Sequence, residues 1–166
     1  MVQNTGIQVP DNAIACGDNV ILPFVAEGAI TPGNLVKKGT ADNQVLVATP
    51  GDKGIIGVAD LNYNALKTGT GKETDNYAAG DRVDVIVKGF VKVIADTGGI
   101  TAGSKVQVGA NTNGAVKDYT DTAANAADAY LTVNLEAIKD ELGLVIGRAY
   151  TTATATNGAV IYLDPA

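Results

Sequence analysis

Histidine is absent from this chain, and serine and cysteine occur once each, as Ser104 and Cys16. With no imidazole base, Ser-His-Asp and Cys-His arrangements are excluded. Zinc and related metals likewise lose their usual nitrogen and sulfur ligands. Ser104 and Lys105 cannot form a substitute pair, because successive strand residues point to opposite faces. One cysteine permits no intrachain disulfide, so nothing marks an oxidising compartment. Tryptophan is missing and only 2 Phe and 6 Tyr are present, so a core must be built from Val, Ile, Leu and Ala. The β-branched members of that set favour a pleated surface. Basic residues are sparse: 12 Lys and Arg against 18 Asp and Glu leave a net charge of −6. They form no cluster of the kind that neutralises phosphates, so no nucleic-acid partner is expected. The longest apolar run, Ala13 to Ala26, is broken by Gly17, Asp18, Asn19 and Pro23. It is too interrupted to cross a bilayer, and no membrane partner is expected. Met1 is followed by polar residues without a basic, apolar leader, which predicts synthesis in a cytoplasm.

What is present is a phrase stated twice. Ala29-Ile30-Thr31-Pro32-Gly33-Asn34-Leu35-Val36-Lys37-Lys38-Gly39 returns as Gly99-Ile100-Thr101-Ala102-Gly103-Ser104-Lys105-Val106-Gln107-Val108-Gly109. In both, an apolar residue and a Thr lead into a Gly-centred turn and then an alternating strand. Each copy is later followed by a Gly-containing apolar return, Gly54 to Ala59 and Leu144 to Ala149. Similar openings sit at Ala79-Gly80-Asp81-Arg82-Val83 and Asn157-Gly158-Ala159-Val160. The 20 glycines fit many tight turns. A chain of 166 residues fits one domain with a real core.

These features predict an all-β fold, a small β-barrel or sandwich of many short strands with an internal repeat. Residues 1–12 read as an extended N-terminal arm, and residues 13–166 as a single β-domain. Short strands are expected around the Gly17-Asp18 turn, at Leu35 to Lys37, Gln44 to Ala48 and Gly54 to Ala59. Arg82 to Ala95 is the clearest strand stretch, in which Gly89 makes either a hairpin or a bend. The stretches 61–79 and 118–133 lack periodicity and read as exposed loops. At most one short helix is expected, near 134–142: Asn134 would cap it, Leu135, Ile138 and Leu142 share a face, and Gly143 follows. A bent strand is the competing reading there.

The remaining chemistries find little support. Paired carboxylates could cleave glycosides, yet Asp18, Asp42, Asp52, Asp81 and Asp96 sit in turn positions, where a carboxylate binds local N–H groups. Calcium could be sought around Asp118 and Asp121, or Asp81 and Asp84, but no calcium-loop spacing is present. Thr68-Gly69-Thr70-Gly71-Lys72 lacks the spacing of a phosphate-binding loop. Pro32 to Gly39 looks like the turn of a lipoyl or biotinyl carrier domain, but the nearest thing to its lysine motif, Phe90-Val91-Lys92-Val93, lacks the flanking signature.

The ordered set Ile30-Thr31-Pro32-Gly33, Gly54 to Ala59, Ala79 to Val85, Gly89-Phe90-Val91, Ile100 to Val106 and Gly147-Arg148-Ala149 resembles the phage capsid decoration, or cement, proteins. The resemblance runs from about Ala13 to Leu163; the loop 61–79 and the stretch Asp118 to Gly143 depart from the pattern. It implies a non-enzymatic virion protein on the capsid exterior, made in the host cytoplasm. Its partner would be the major capsid protein shell, which it would stabilise, typically as a homotrimer. No cofactor, metal or small-molecule substrate is implied. In the arm, Ile7 and Val9 lie at strand spacing and are the candidate contacts to capsid or subunit. An adhesive or carbohydrate-binding domain is the alternative, with Tyr63, Tyr77, Tyr119 and Tyr130 as its aromatic patch. A carboxylate hydrolase is the third reading, and would need two acids facing one cleft.

Overall fold

The computed structural model describes residues 14–15, 17–63, 75–119, 145–155 and 157–164. Its named elements are nine strands: β1 (Val20–Ala26), β2 (Leu35–Lys38), β3 (Gln44–Val47), β4 (Ile55–Ala59), β5 (Arg82–Ile94), β6 (Lys105–Val108), β7 (Val116–Asp118), β8 (Gly147–Ala149) and β9 (Gly158–Leu163). The all-β expectation holds. The helix reading of 134–142 and the arm residues Ile7 and Val9 lie outside the described residues.

Strand order is β1-β3-β2-β4-β5-β9-β8-β6-β7, and β1 also pairs with β5. That extra pairing closes β1, β3, β2, β4 and the first half of β5 into a five-stranded barrel. The rest of the sheet is built the same way. The second half of β5 pairs antiparallel with β9 from Gly89↔Leu163 to Ile94↔Gly158, β9 with β8, β8 with β6 and β6 with β7. A parallel bridge, Ala95↔Val116, returns β7 to the end of β5. It matches the parallel contact Ala26↔Val45 between β1 and β3.

The doubled phrase therefore marks a doubled unit. Gly33 N–H donates to Ala59 O at 2.8 Å, as Gly103 N–H does to Ala149 O at 2.9 Å. Ile30 exchanges backbone hydrogen bonds with Tyr77, and Ile100 with Ala153. Both turn glycines have φ of 88°, a left-handed conformation open to Gly at no steric cost. The buried cluster of the first barrel is Ala26, Ile30, Val36, Val45, Ala59, Tyr77, Val83 and Val85. Register places Ala95, Ile100, Val106, Val116, Ala149, Ala153, Ala159 and Ile161 at the same positions in the second unit, and all eight are buried in the larger cluster. Each fully buried Val or Ile contributes about 1.5–3 kcal/mol.

β5 belongs to both units. Residues Arg82 to Lys88 pair with β1, and Gly89 to Ile94 with β9, so Gly89 is a bend in one long strand and not a hairpin. Its φ is 126°, and a Cβ there would collide with Asn19. The units are joined by packing as well. Leu35, Val58 and Ile86, on the outer wall of the first barrel, are buried in one cluster with Val91, Val108 and Leu163 of the second. Leu35 N–H donates to Gly114 O at 2.9 Å, and Gly114 N–H to Ala48 O at 2.8 Å. This explains why β5 departs from simple alternation: Ile86 points out of its own barrel yet is fully buried.

Within the described part of the stretch 61–79, Tyr63, Asp75, Asn76, Ala78 and Ala79 are exposed, and three residues are not. Leu61 and Asn62 are buried, as is Tyr77 at 2% exposure. The Tyr77 hydroxyl lies 3.0 Å from Asp60 O and 2.8 Å from Leu61 O, and Asn62 Nδ2 donates to the carbonyls of Asp75 and Asn76.

Candidate functional surface

Several of the carboxylates picked out by sequence are held by nearby groups. Asp52 accepts from Thr49 N–H and hydroxyl and from Lys37, the last at 2.8 Å. Asp81 accepts from Ala78 N–H, Asp42 pairs with Lys38, and Asp118 accepts from Thr101 N–H. Asp84 is held by Arg82 at 3.1 Å, so Asp81 and Asp84 serve different partners. Asp96 is 1% exposed, and its Oδ2 accepts from Ala110 N–H, Asn111 N–H and the Asn111 side chain. Burial alone would raise this carboxyl. Hydrogen bonds from the backbone of Thr97, Asn111 and Ala110 and from the Thr112 side chain outweigh it, leaving its pKa lowered to about 2. Its counterpart in the first unit is Glu27, which accepts from Thr40 N–H and hydroxyl. Those bonds lower its pKa. Asp60 is the exception: burial pushes its carboxyl up, against the pull of the Leu61 N–H.

An open groove of about 410 Å³ lies between Pro50-Gly51-Asp52 and residues Gln107 to Ala110 and Lys117. Asp52 is its single acid, whereas glycoside cleavage takes two. Among the described residues, no group of three or more Cys, Asp or Glu side chains could hold a metal ion. No helix among them is long and apolar enough to cross a membrane. Ser104 is a turn residue, its N–H donating to Thr101 O, and its neighbour Lys105 is exposed on β6. Lys92 is half-buried with its stem over Gly158, unlike the displayed lysine of a carrier domain. Asp121, Lys72 and Tyr130 lie outside the described residues.

Of the aromatic candidates, Tyr63 is exposed and Tyr77 is buried, so they do not form one patch. The aromatic cluster that does form was not visible in sequence. Phe90 meets Tyr150 and Tyr162 edge-on, with centroids at 4.8 and 5.0 Å. It joins β5, β9 and the residue after β8, across 72 positions of sequence from Phe90 to Tyr162.

The other feature is apolar. Val20, Ile21 and Leu22 are exposed at 51, 43 and 46%, and Pro23 beside them is exposed too. Val20 and Leu22 lie on one face of β1 and Ile21 and Pro23 on the other, so the start of this strand exposes apolar side chains on both faces.

A family model for the structural cement protein, typified by E217 gp24 and Pam3 gp6, matches residues 8–164. The chain belongs to that family of phage structural proteins. The fold has a solved counterpart in the N base of the head fiber gp8.5 of bacteriophage phi29, with a TM-score of 0.52 and 13% identity. The match covers 87% of this chain and 93% of that one. No curated protein matches the chain. The cement protein is thus a capsid-associated structural component of the virion.

Proposed function

We propose that this cement protein binds the outer surface of an assembled phage shell and stabilises it, acting as a homotrimer without catalysing a reaction. The observation that carries this reading is the family match across residues 8–164. The exposed β1 strip supports it, because a contact repeated over a lattice needs no single strong site. The shell protein is the partner, and no cofactor, nucleic acid or small substrate takes part. In the arm, Met1 to Asn12, Ile7 and Val9 supply buried contacts. The glycan-binding alternative is weakened by the burial of Tyr77.

Sedimentation of purified protein with empty shells tests the reading. Saturable co-sedimentation, and a raised temperature of shell disruption, are the expected results. Protein that stays in the supernatant at every concentration defeats it. Removing Met1 to Asn12 is expected to weaken attachment at least tenfold while leaving the circular dichroism spectrum unchanged.

A further inference from the structure

One five-residue phrase occurs twice in the chain without variation. Thr112-Asn113-Gly114-Ala115-Val116 returns as Thr156-Asn157-Gly158-Ala159-Val160, and these hold the only two Asn-Gly steps in the sequence. Asn is a thermolabile residue, and Gly is the follower that exposes it most. A glycine nitrogen is shielded by no Cβ, and its backbone turns freely enough to bring that nitrogen onto the Asn side-chain carbon. With the same residues flanking both steps, local sequence gives them the same intrinsic reactivity. A difference between them must come from the fold.

The fold does separate them. Gly114 is buried, with φ of 72°. Its N–H donates to Ala48 O at 2.8 Å and its carbonyl accepts from Leu35 N–H at 2.9 Å, so this glycine is clamped in the seam between the two barrels. Gly158 and Asn157 are both exposed. Ala95 N–H donates to Asn157 O at 3.0 Å, which makes the next pair, Ile94↔Gly158, one that exchanges no hydrogen bonds. Lys92 fixes the same phase independently, since its N–H turns from β9 to Ile14 O. Gly158 N–H therefore points away from β5. Val160 N–H, two residues on and pointing the same way, is taken by the Thr151 hydroxyl at 2.8 Å. Gly158 N–H has no such partner among the described residues. The Asn157 side chain is tied through Nδ2 to the hydroxyl of exposed Thr154.

We infer that Asn157 is a site of spontaneous deamidation and that Asn113, in the same five residues, is protected from it. Gly158 N attacks the side-chain carbonyl carbon of Asn157 and gives up its proton to water, and the new C–N bond closes a five-membered succinimide. The bond from that carbon to Nδ2 breaks, and Nδ2 takes a proton and leaves as ammonia. Water then opens the ring at one of its two carbonyls, leaving aspartate or isoaspartate at position 157. Nothing is oxidised or reduced, and water is the sole co-reactant. Either product adds one negative charge to a chain that already carries −6. Isoaspartate also reroutes the main chain through the former side chain, so the carbonyl that receives Ala95 N–H becomes a pendant carboxylate. The β5–β9 ladder begins beside that point, and its end rung is rebuilt. A virion component is not renewed after assembly, so the altered fraction grows with the age of the particle.

Tryptic cleavage after Lys105, Lys117 and Arg148 puts the two steps in different peptides, 106–117 and 149–166. Purified protein is incubated in mildly alkaline buffer, folded in one sample and in guanidinium chloride in another. Each peptide is followed by mass spectrometry for the gain of one mass unit, with fragment spectra placing it on Asn113 or Asn157. In the folded protein, modification at Asn157 is expected to be at least tenfold faster than at Asn113. In the denatured chain the two rates are expected to coincide. Native protein is also expected to develop an acidic satellite on isoelectric focusing that Asn157→Gln does not. Equal rates in the folded protein, or a faster Asn113, overturn the inference. So does an unmodified Asn157 in the folded protein beside a modified one in the denatured chain, which would show the Gly158 amide to be held. Unequal rates in the denatured chain would assign the contrast to sequence and defeat it as well.

Discussion

Asp96 shows what a single side chain contributes to this fold. Its carboxylate ties the turn after β6 to the end of β5, and Asp96→Ala removes the charged acceptor of the Ala110 and Asn111 N–H groups. A loss of about 2 kcal/mol is expected, read as a fall in melting temperature of about 4–8 °C. Its folded pKa is lowered to about 2 from the ordinary value of 3.8. The stabilisation is therefore complete above the unfolded value and lost as pH falls through the folded one. Wild-type stability is expected to drop between about pH 4 and pH 2 by more than that of Asp96→Asn, measured by urea unfolding. Gly57 and Gly147 make a second residue-scale case. A Cβ on Gly57 would run into the carbonyl oxygen of Ile86, and one on Gly147 into that of Tyr162, the equivalent residue. Overpacking of this sort costs about 1–3 kcal/mol, and both Gly→Ala variants are expected to melt lower. Equal stability to wild type in either would mean that the strands do not approach so closely.

Single elements show which parts of the fold can be read from sequence. The turns at Gly33 and Gly103, and the strands after them, were readable because Gly chemistry and period-two alternation are local signals. β7 was not, since Val116-Lys117-Asp118 is too short to establish a period. The shared role of β5 was hidden for a different reason: Ile86 is buried by a neighbouring barrel, and no local pattern reports that. The same blindness applied to the surface. Asp96, Asp52 and Asp81 were correctly read as turn acids, whereas the Phe90-Tyr150-Tyr162 cluster needs the β5–β9 register to exist. Tyr77 was read as exposed because the stretch 61–79 is polar and aperiodic; its neighbours Asn76, Ala78 and Ala79 are exposed, and it is not. Equivalent strands with unequal cover allow a direct comparison. Val91→Ala is expected to cost about 2 kcal/mol, two methyl groups removed from a sealed site. Leu22→Ala, though a larger truncation, is expected to cost under about 1 kcal/mol in the monomer. A reversed order in chemical unfolding would contradict the equivalence.

At the scale of the whole molecule, the two barrels cannot be separated without cutting a strand. β5 supplies a wall to each, and Leu35, Val58 and Ile86 are core for the second unit while belonging to the first. A single cooperative unfolding transition is expected, with calorimetric and van't Hoff enthalpies equal. Fragments ending or starting near Gly89 are expected not to fold alone. Two resolved transitions in calorimetry would show the barrels to be independent. The continuous thirteen-residue strand also governs how this component bears load. Tension applied along its length meets the ladders to β1, β4 and β9 in shear, so many bonds must yield together instead of unzipping one by one. A brace threaded through two rings in this manner resists stretching most strongly along one direction.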